Sequence, residues 1–314
     1  MSNQQVAFVF PGQGSQFVKM GQDLANAFPA ARLIYEQADD LLHISLSKLS
    51  WEGPEAELND TVNTQPALYI HSAAVLAVLR EIHPGFQAMC VAGHSMGELS
   101  ALLASGALGF ADGLKLVRSR GELMKKAGEI SPGSMAAILG LDIPTLEEIC
   151  LQASMGEEIV QVANDNCPGQ VVISGSSAAI QRAIELANQA GARRAIALAV
   201  SIAAHSPLMA HVQVDFNHAV ANTPIQDPRV PLIGNVTAAP LNDAGAIRRD
   251  LQAQLSSRVR WTESVQQMAG MGVTAFFEIG SGSVLGGLIK RIDRNLPCFS
   301  VGTPADLDQL SAWI

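Results

Sequence analysis

Gly93, Ser95 and Gly97 form a Gly-x-Ser-x-Gly pattern directly after a short apolar run, Ala88 to Ala92. An apolar run closed by glycine reads as a buried strand, and the Ala- and Leu-rich stretch Glu98 to Leu108 reads as the helix that follows it. A serine placed between strand and helix sits on a sharp turn that lifts its oxygen clear of the sheet, where it can attack a carbonyl. Side chains at the flanking positions would collide across such a turn, which accounts for the glycines. The Met96 N–H then lies at a helix N-terminus, aimed at any oxyanion formed on an ester of Ser95. Glycine is common enough that the bare pattern says little, and a glycine-cushioned packing turn is the competing reading.

A serine nucleophile needs a base, and the chain has seven histidines. His43, His71 and His83 fall in helical or loop stretches, and His211 and His218 on the helix after Pro207; surface or satisfied structural roles are the ordinary expectation for these. His94 adjoins Ser95, but neighbours on a turn point in different directions. His205 stands apart, because it precedes Ser206-Pro207, an N-cap followed by proline at the first helical position. That places an imidazole at the mouth of the sheet, on the edge where Ser95 emerges. As general base it would take the hydroxyl proton during attack and return one to the leaving group.

Asp112 to Lys126 gives a helical wheel with Leu114, Leu116, Val117, Leu123 and Met124 on one face. Arg120 falls near the middle of that apolar face, where a guanidinium is costly unless paired. Its partner is either a buried protein carboxylate or the carboxylate of a substrate held in a bidentate fork.

The elements around these residues alternate as in an α/β fold. Val6 to Phe10 reads as a strand feeding the Pro11–Gln16 loop, so strand, tight loop and helix occur twice, as in parallel strands joined by crossovers. Strands at 135–139, 159–164, 171–174 and 194–201, with helices at 144–152 and 178–191, follow the order βαββαβ, the ferredoxin-like pattern. We therefore expect a large α/β-hydrolase-like domain with a parallel sheet, residues 1–127 and 199–314, carrying a small ferredoxin-like domain inserted at 128–198. Strands at 230–235 and 273–279 return the chain to the large sheet.

Composition removes several classes of function. Hydrophobic residues make up 48% of the 314 residues and charged ones 16%, enough apolar side chain for a sizeable core. A formal charge of −9 argues against a nucleic-acid partner. No apolar stretch approaches the ~20 residues that span a bilayer, and MSNQQVAFVF lacks the cationic and apolar regions of a signal peptide, so a cytoplasmic protein without membrane association is expected. Cys90, Cys150, Cys167 and Cys298 are widely spaced and read as buried small hydrophobes. Gly12-x-Gly14 lacks the third glycine of a dinucleotide fingerprint, and no histidine–cysteine spacing suggests zinc, so neither cofactor nor metal is expected. The basic pairs Arg248-Arg249 and Lys290-Arg291, with Arg294, read as solvated faces or as a dock for an acidic protein partner.

Six motifs in order carry a family resemblance: PGQGSQ from Pro11, GHSMGE from Gly93, SRGELM from Ser119, NCPGQVVISG from Asn166, AHSPLM from Ala204 and FFEIGSGSVLGGLIKRI from Phe276. The chain resembles the malonyl-CoA:acyl carrier protein transacylases of fatty acid and polyketide synthesis over nearly its whole length. The resemblance implies ping-pong transfer of malonyl from malonyl-CoA, through an ester on Ser95, to the phosphopantetheine thiol of acyl carrier protein. It implies His205 as base, Arg120 on the malonyl carboxylate, and the main-chain N–H groups of Gln13 and Met96 as oxyanion donors. It also gives Gln254 a main-chain carbonyl that orients the histidine, Gln65, Asn166 and Gln170 pocket positions, and the enzyme as a monomer. Met96 stands where leucine is more frequent in the family, and Ala204 where Phe or Ser is usual, which leaves room beside the substrate C2. An acyl hydrolase that unloads carrier proteins, and a non-catalytic carrier-binding subunit, are the alternatives. Arg120 argues against the first, since simple acyl chains carry no carboxylate; intact Ser95, His205 and Gln13 argue against the second.

Overall fold

A computed structural model of the chain describes residues 5–311; Met1 to Gln4, at the start of the N-terminal stretch read above, lie outside them. Val6–Phe10 (β1) and Cys90–Gly93 (β2) are buried at every residue. This is the pattern of parallel strands covered on both faces. They pair in parallel, with Phe10 opposite Gly93, so the loops that leave them lie side by side at one edge of the sheet.

Four strands make a second, smaller sheet: Gly133–Leu139 (β3), Val160–Cys167 (β4), Gln170–Ser176 (β5) and Arg194–Ala197 (β6). All its pairings are antiparallel, in the order β4-β5-β3-β6, the ferredoxin-like arrangement expected for βαββαβ. The helices Ile143–Ala153 and Ser177–Gln189 close one face over a core that includes Ile138, Leu146, Ile173 and Ile180. The large sheet is completed by Leu232–Ile233 (β7), Pro240–Leu241 (β8), Ala275–Ile279 (β9) and Cys298–Val301 (β10), in the order β10-β9-β1-β2-β7-β8. Only β8 runs antiparallel to its neighbour. The fold is thus an α/β-hydrolase-like parallel sheet with a ferredoxin-like addition.

Two expected strands are shorter than their apolar runs. The run 194–201 is strand only as far as Ala197, because the chain beyond leaves the sheet to line the cleft, and 230–235 pairs only at Leu232 and Ile233. Neither β8 nor β10 carries a long enough apolar run to have been expected. The small sheet is tied to the segment between the helices Ala244–Gln254 and Trp261–Gly270: the Val259 N–H donates to the Ala163 carbonyl (2.8 Å) and the Asp165 N–H to the Val259 carbonyl (2.9 Å). Cys167 of β4 packs in one core cluster with Val259 and Trp261. All four cysteines are free thiols, and among the described residues no helix is long and apolar enough to cross a membrane.

The turn after β2 has no spare room. A Cβ on Gly93 would stand 2.0 Å from the Gly97 carbonyl, and one on Gly97 would stand 2.2 Å from the Phe10 carbonyl oxygen. These obstacles are backbone and cannot swing aside, so Gly97→Ala should destabilise the fold by about 2–3 kcal/mol. A thermal melt checks this, the expected fall in Tm being several degrees.

Candidate active site

Ser95 has φ 53°, in the left-handed region that a residue with a Cβ enters only when held. Three bonds hold it. Its N–H donates to the Asn235 Oδ1 (2.8 Å), and the Asn235 Nδ2 donates to the Gly93 carbonyl (2.7 Å). The Gln254 Nε2 donates to the Ser95 carbonyl (3.0 Å). The strained turn is therefore clamped by one amide side chain from the end of β7 and another from the end of the helix Ala244–Gln254. Asn235 did not stand out in the sequence, although its place at the end of an apolar run on the active edge was the available signal.

Held this way, the Ser95 Oγ lies 2.8 Å from the His205 Nε2. The His205 Nδ1 faces two main-chain carbonyls, Gln254 at 2.9 Å and Ser257 at 3.2 Å. A carbonyl only accepts, so Nδ1 carries the ring proton and the Nε2 lone pair is left for the serine hydroxyl. His205 is itself at φ 59°, and its carbonyl accepts from the Gln161 Nε2 of β4 (2.7 Å). The small sheet thereby braces the histidine, a role nothing in the sequence around Gln161 advertised. Burial, the nearby Arg120 cation and, more weakly, His94 lower the His205 pKa to about 3, against the usual 6.5, so the ring is a neutral acceptor at neutral pH.

Arg120, on the helix Phe110–Ile130, is 1% exposed. It pairs with no carboxylate among the described residues; its donors meet neutral acceptors instead. Nη1 donates to the Gln65 Oε1 (2.7 Å), and Nε and Nη2 to the Gln254 Oε1 (3.2 and 2.9 Å). Nη2 also reaches the Ser95 Oγ at 3.2 Å. Burial lowers the guanidinium pKa to about 10, so the group is still a cation at neutral pH.

Ser95, His205 and Arg120 open on one cleft of about 680 Å³, whose walls include Gln13, Met96, Asn166, Gln170 and Ala204. Gln65 stands behind Arg120 rather than on the wall, completely buried, and reaches the cleft only through the guanidinium. Its Nε2 donates to the Thr61 Oγ1 (2.8 Å), which donates in turn to the Gln13 Oε1 (2.9 Å). The Gln13 loop and Arg120 are thus joined by a chain of side-chain bonds. The Gln13 and Met96 N–H groups donate to no protein acceptor among the described residues, and both residues line the cleft with Ser95. The Asn166 Oδ1 accepts from the His94 Nε2 (2.8 Å), whose ring lies edge-on to Trp261, so His94 is a wall residue rather than a second base. The Gln170 Oε1 accepts from Arg291, and Arg248 donates to the Ile225 carbonyl (3.0 Å), which gives both arginines structural partners. Among the described residues no cluster of His, Cys, Asp or Glu has the makings of a metal site.

Comparison with known proteins gives the same picture. The acyl transferase domain family matches residues 7–297. The chain is 44% identical over 305 residues to the malonyl CoA-acyl carrier protein transacylase of Bacillus subtilis (strain 168), covering 96% of this chain and 95% of that one. It is 43% identical to the Haemophilus influenzae protein of the same name, covering 98% of each. Among solved structures, an acyl carrier protein S-malonyltransferase from Vibrio cholerae superimposes with a TM-score of 0.94 at 40% identity, over 98% of this chain and 100% of that one. A malonyl-transacylase solved with a type II PKS acyl-carrier protein gives 0.94 at 40% identity, over 98% of each chain.

Three outcomes follow from the clamp, the base and the cation beside it. Asn235→Ala should slow phosphonylation of Ser95 by a serine-directed fluorophosphonate about 10²-fold, since misplacing a nucleophile by ~1 Å has that scale of effect. A base with a lowered pKa stays unprotonated until pH falls through that value, so the rate should be flat from about pH 8 down to about pH 5. Arg120→Gln removes a cation that holds the His205 pKa down, so the acid limb should move up in pH. The pH profile of the phosphonylation rate constant reads both effects.

Proposed function

Since the chain belongs to the acyl transferase domain family, we propose that it transfers a malonyl group from malonyl-CoA to the phosphopantetheine thiol of an acyl carrier protein. The single observation that carries the substrate class is Arg120: a buried cation, unpaired with any carboxylate among the described residues, 3.2 Å from the Ser95 Oγ. Leaving such a charge without an anion is costly unless the anion arrives with the substrate. An acyl group on Ser95 that ends in a carboxylate brings it to this guanidinium; an acetyl group does not.

The steps follow from the bonds described above. The Ser95 Oγ attacks the thioester carbonyl while the His205 Nε2 takes its proton, and the Gln13 and Met96 N–H groups receive the oxyanion. Collapse breaks the C–S bond, and the imidazolium gives its proton to the departing coenzyme A thiolate. In the second half the carrier thiol gives its proton to His205 and attacks the Ser95 ester. The C–O bond breaks, and the proton returns to the Ser95 oxygen. Two half-reactions through one ester give ping-pong kinetics. His205 needs no carboxylate behind it, because two carbonyls set its tautomer.

Mass spectrometry after mixing with malonyl-CoA tests the reading: a malonyl adduct on Ser95, discharged by holo carrier protein, is expected. Adduct lost to water at the same rate with or without carrier would make the protein a hydrolase, and no adduct would leave it non-catalytic. Arg120→Ala should lower malonyl labelling by about 10²-fold or more while sparing acetyl labelling, the signature of a lost charge-assisted pair. Equal damage to both would make Arg120 structural. Ala204 borders the cleft next to His205, so Ala204→Phe should disfavour methylmalonyl-CoA relative to malonyl-CoA by about tenfold, read by competitive labelling.

A further inference from the structure

Glu98 sits in the first turn of the helix Gly97–Ser105, a place where an exposed acid would complement the helix dipole. Instead of facing solvent, it is wholly buried behind the nucleophile. Its Oε2 receives the Gln254 Nε2–H in a close contact, and its Oε1 faces the Asn235 N–H at 3.2 Å. Those are the two residues whose amide groups clamp the Ser95 turn. The Glu98 carboxyl also lies against a second buried acid, Asp250, which is 3% exposed.

The Gln254 amide has a single arrangement that satisfies all its neighbours. Its Oε1 must face the Arg120 Nε and Nη2, which only donate. Its two Nε2 hydrogens then need acceptors, and they find the Ser95 carbonyl and Glu98. Turned over, the amide would point hydrogens at a guanidinium and a lone pair at two oxygens. Residue 98 must therefore offer an acceptor oxygen. An ionised carboxylate there would supply it, but would place an anion one amide away from Arg120 and offset the charge kept for substrate. Asp250 settles where a proton goes. It accepts from the Val236 and Thr237 N–H groups (3.3 Å each) and from the Thr237 Oγ1 (3.2 Å), so it is the acceptor of the carboxyl pair and Glu98 the donor.

We propose that Glu98 is a positioning residue that works in its protonated form: hydrogen-bonded to Asp250, it fixes the Gln254 amide, and so aims Arg120 without neutralising it. Burial and the neighbouring Asp250 both raise its pKa well above the ordinary carboxylate value, outweighing the pull of the Gln254 and Asn235 donors. The groups that bear on it are Asp250, Gln254, the Asn235 N–H and, through Gln254, Arg120. The device rests on the transfer reading for its purpose, though not for its chemistry.

Glu98→Gln and Glu98→Leu separate the terms. Gln keeps an acceptor toward Gln254 and a donor toward Asp250, and gives up the longer Asn235 N–H contact (3.2 Å). We expect it to hold kcat and KM for malonyl-CoA within about threefold and to keep the preference for malonyl over acetyl donors. Leu removes the acceptor, and malonyl labelling should fall by about thirtyfold or more. Infrared difference spectra between the parent protein and Glu98→Gln at neutral pH should show a protonated-carboxyl C=O band that the variant lacks; this reading stands even if Glu98→Leu fails to fold. Absence of that band, loss of malonyl preference in Glu98→Gln, or full activity in Glu98→Leu would each overturn the proposal. If the parent protein takes no label from malonyl-CoA, the transfer reading fails, whereas the infrared result still decides the protonation of Glu98.

Discussion

A guanidinium buried beside a serine, with neutral oxygens where a carboxylate would ordinarily stand, is the constraint around which the site is arranged. Isolated charges do not survive burial without dense hydrogen bonding. Gln65 and Gln254 provide it, and both are completely buried as a result. Each of these amides then has to satisfy its own nitrogen. Gln65 does so through Thr61 toward the Gln13 loop, and Gln254 through the Ser95 carbonyl and Glu98. The requirement to solvate one cation with protein thus draws in the Gln13 loop on one side and the Ser95 turn on the other.

Ser95 and His205, which meet beside that cation, sit on backbone that would not hold its shape alone. Ser95 and His205 both have left-handed φ values, 53° and 59°. Conformations of that kind cost of order 1–3 kcal/mol each, and persist where surrounding bonds over-determine them. For Ser95 those bonds come from Asn235 and Gln254; for His205 they come from Gln161 and from the carbonyls of Gln254 and Ser257. Gln161 belongs to the small sheet, whereas Asn235 follows β7 and Gln254 and Ser257 lie at and just beyond the end of the helix Ala244–Gln254, so the geometry of the pair depends on how the small sheet is seated against the rest of the chain. The Ala163–Val259 and Asp165–Val259 bonds, which fix that seating, lie a few residues from Gln161 on one side and Ser257 on the other.

Much of this was legible in the residues, and the division has physical causes. Strands buried on both faces announce themselves as continuous apolar runs, so β1, β2 and the βαββαβ order could be read directly. Ser95 was legible because a turn this tight demands glycine on both sides, and Arg120 because a cation on an apolar helix face breaks the pattern. Asn235, Gln161 and Glu98 were not, since amides and acids near element ends are common and their partners lie 137 to 142 positions away for Asn235 and 44 away for Gln161. Gln65 was expected on the pocket wall; its place behind Arg120 depends on how the helices Thr61–Ile82 and Phe110–Ile130 pack, which no local pattern encodes. β8 has two residues and β10 four, mostly half-buried, too few to show any period.

Electrostatics connects substrate charge to the chemistry as well as to binding. After burial, the cation of Arg120 is the largest influence holding His205 a weak base. Under the proposed function, a malonyl carboxylate seated on Arg120 cancels that influence while the thioester is next to Ser95. His205 then becomes more basic when its proton acceptance is needed, and the imidazolium formed during attack faces a neutral pair instead of a bare cation. An acyl donor without the far carboxylate leaves Arg120 uncompensated and must drive protonation of His205 against it. One guanidinium therefore discriminates twice, in the ground state by pairing and in the transition state by the charge that His205 acquires. That second effect requires Glu98 to carry no charge of its own, for an anion there would relieve Arg120 for every donor alike.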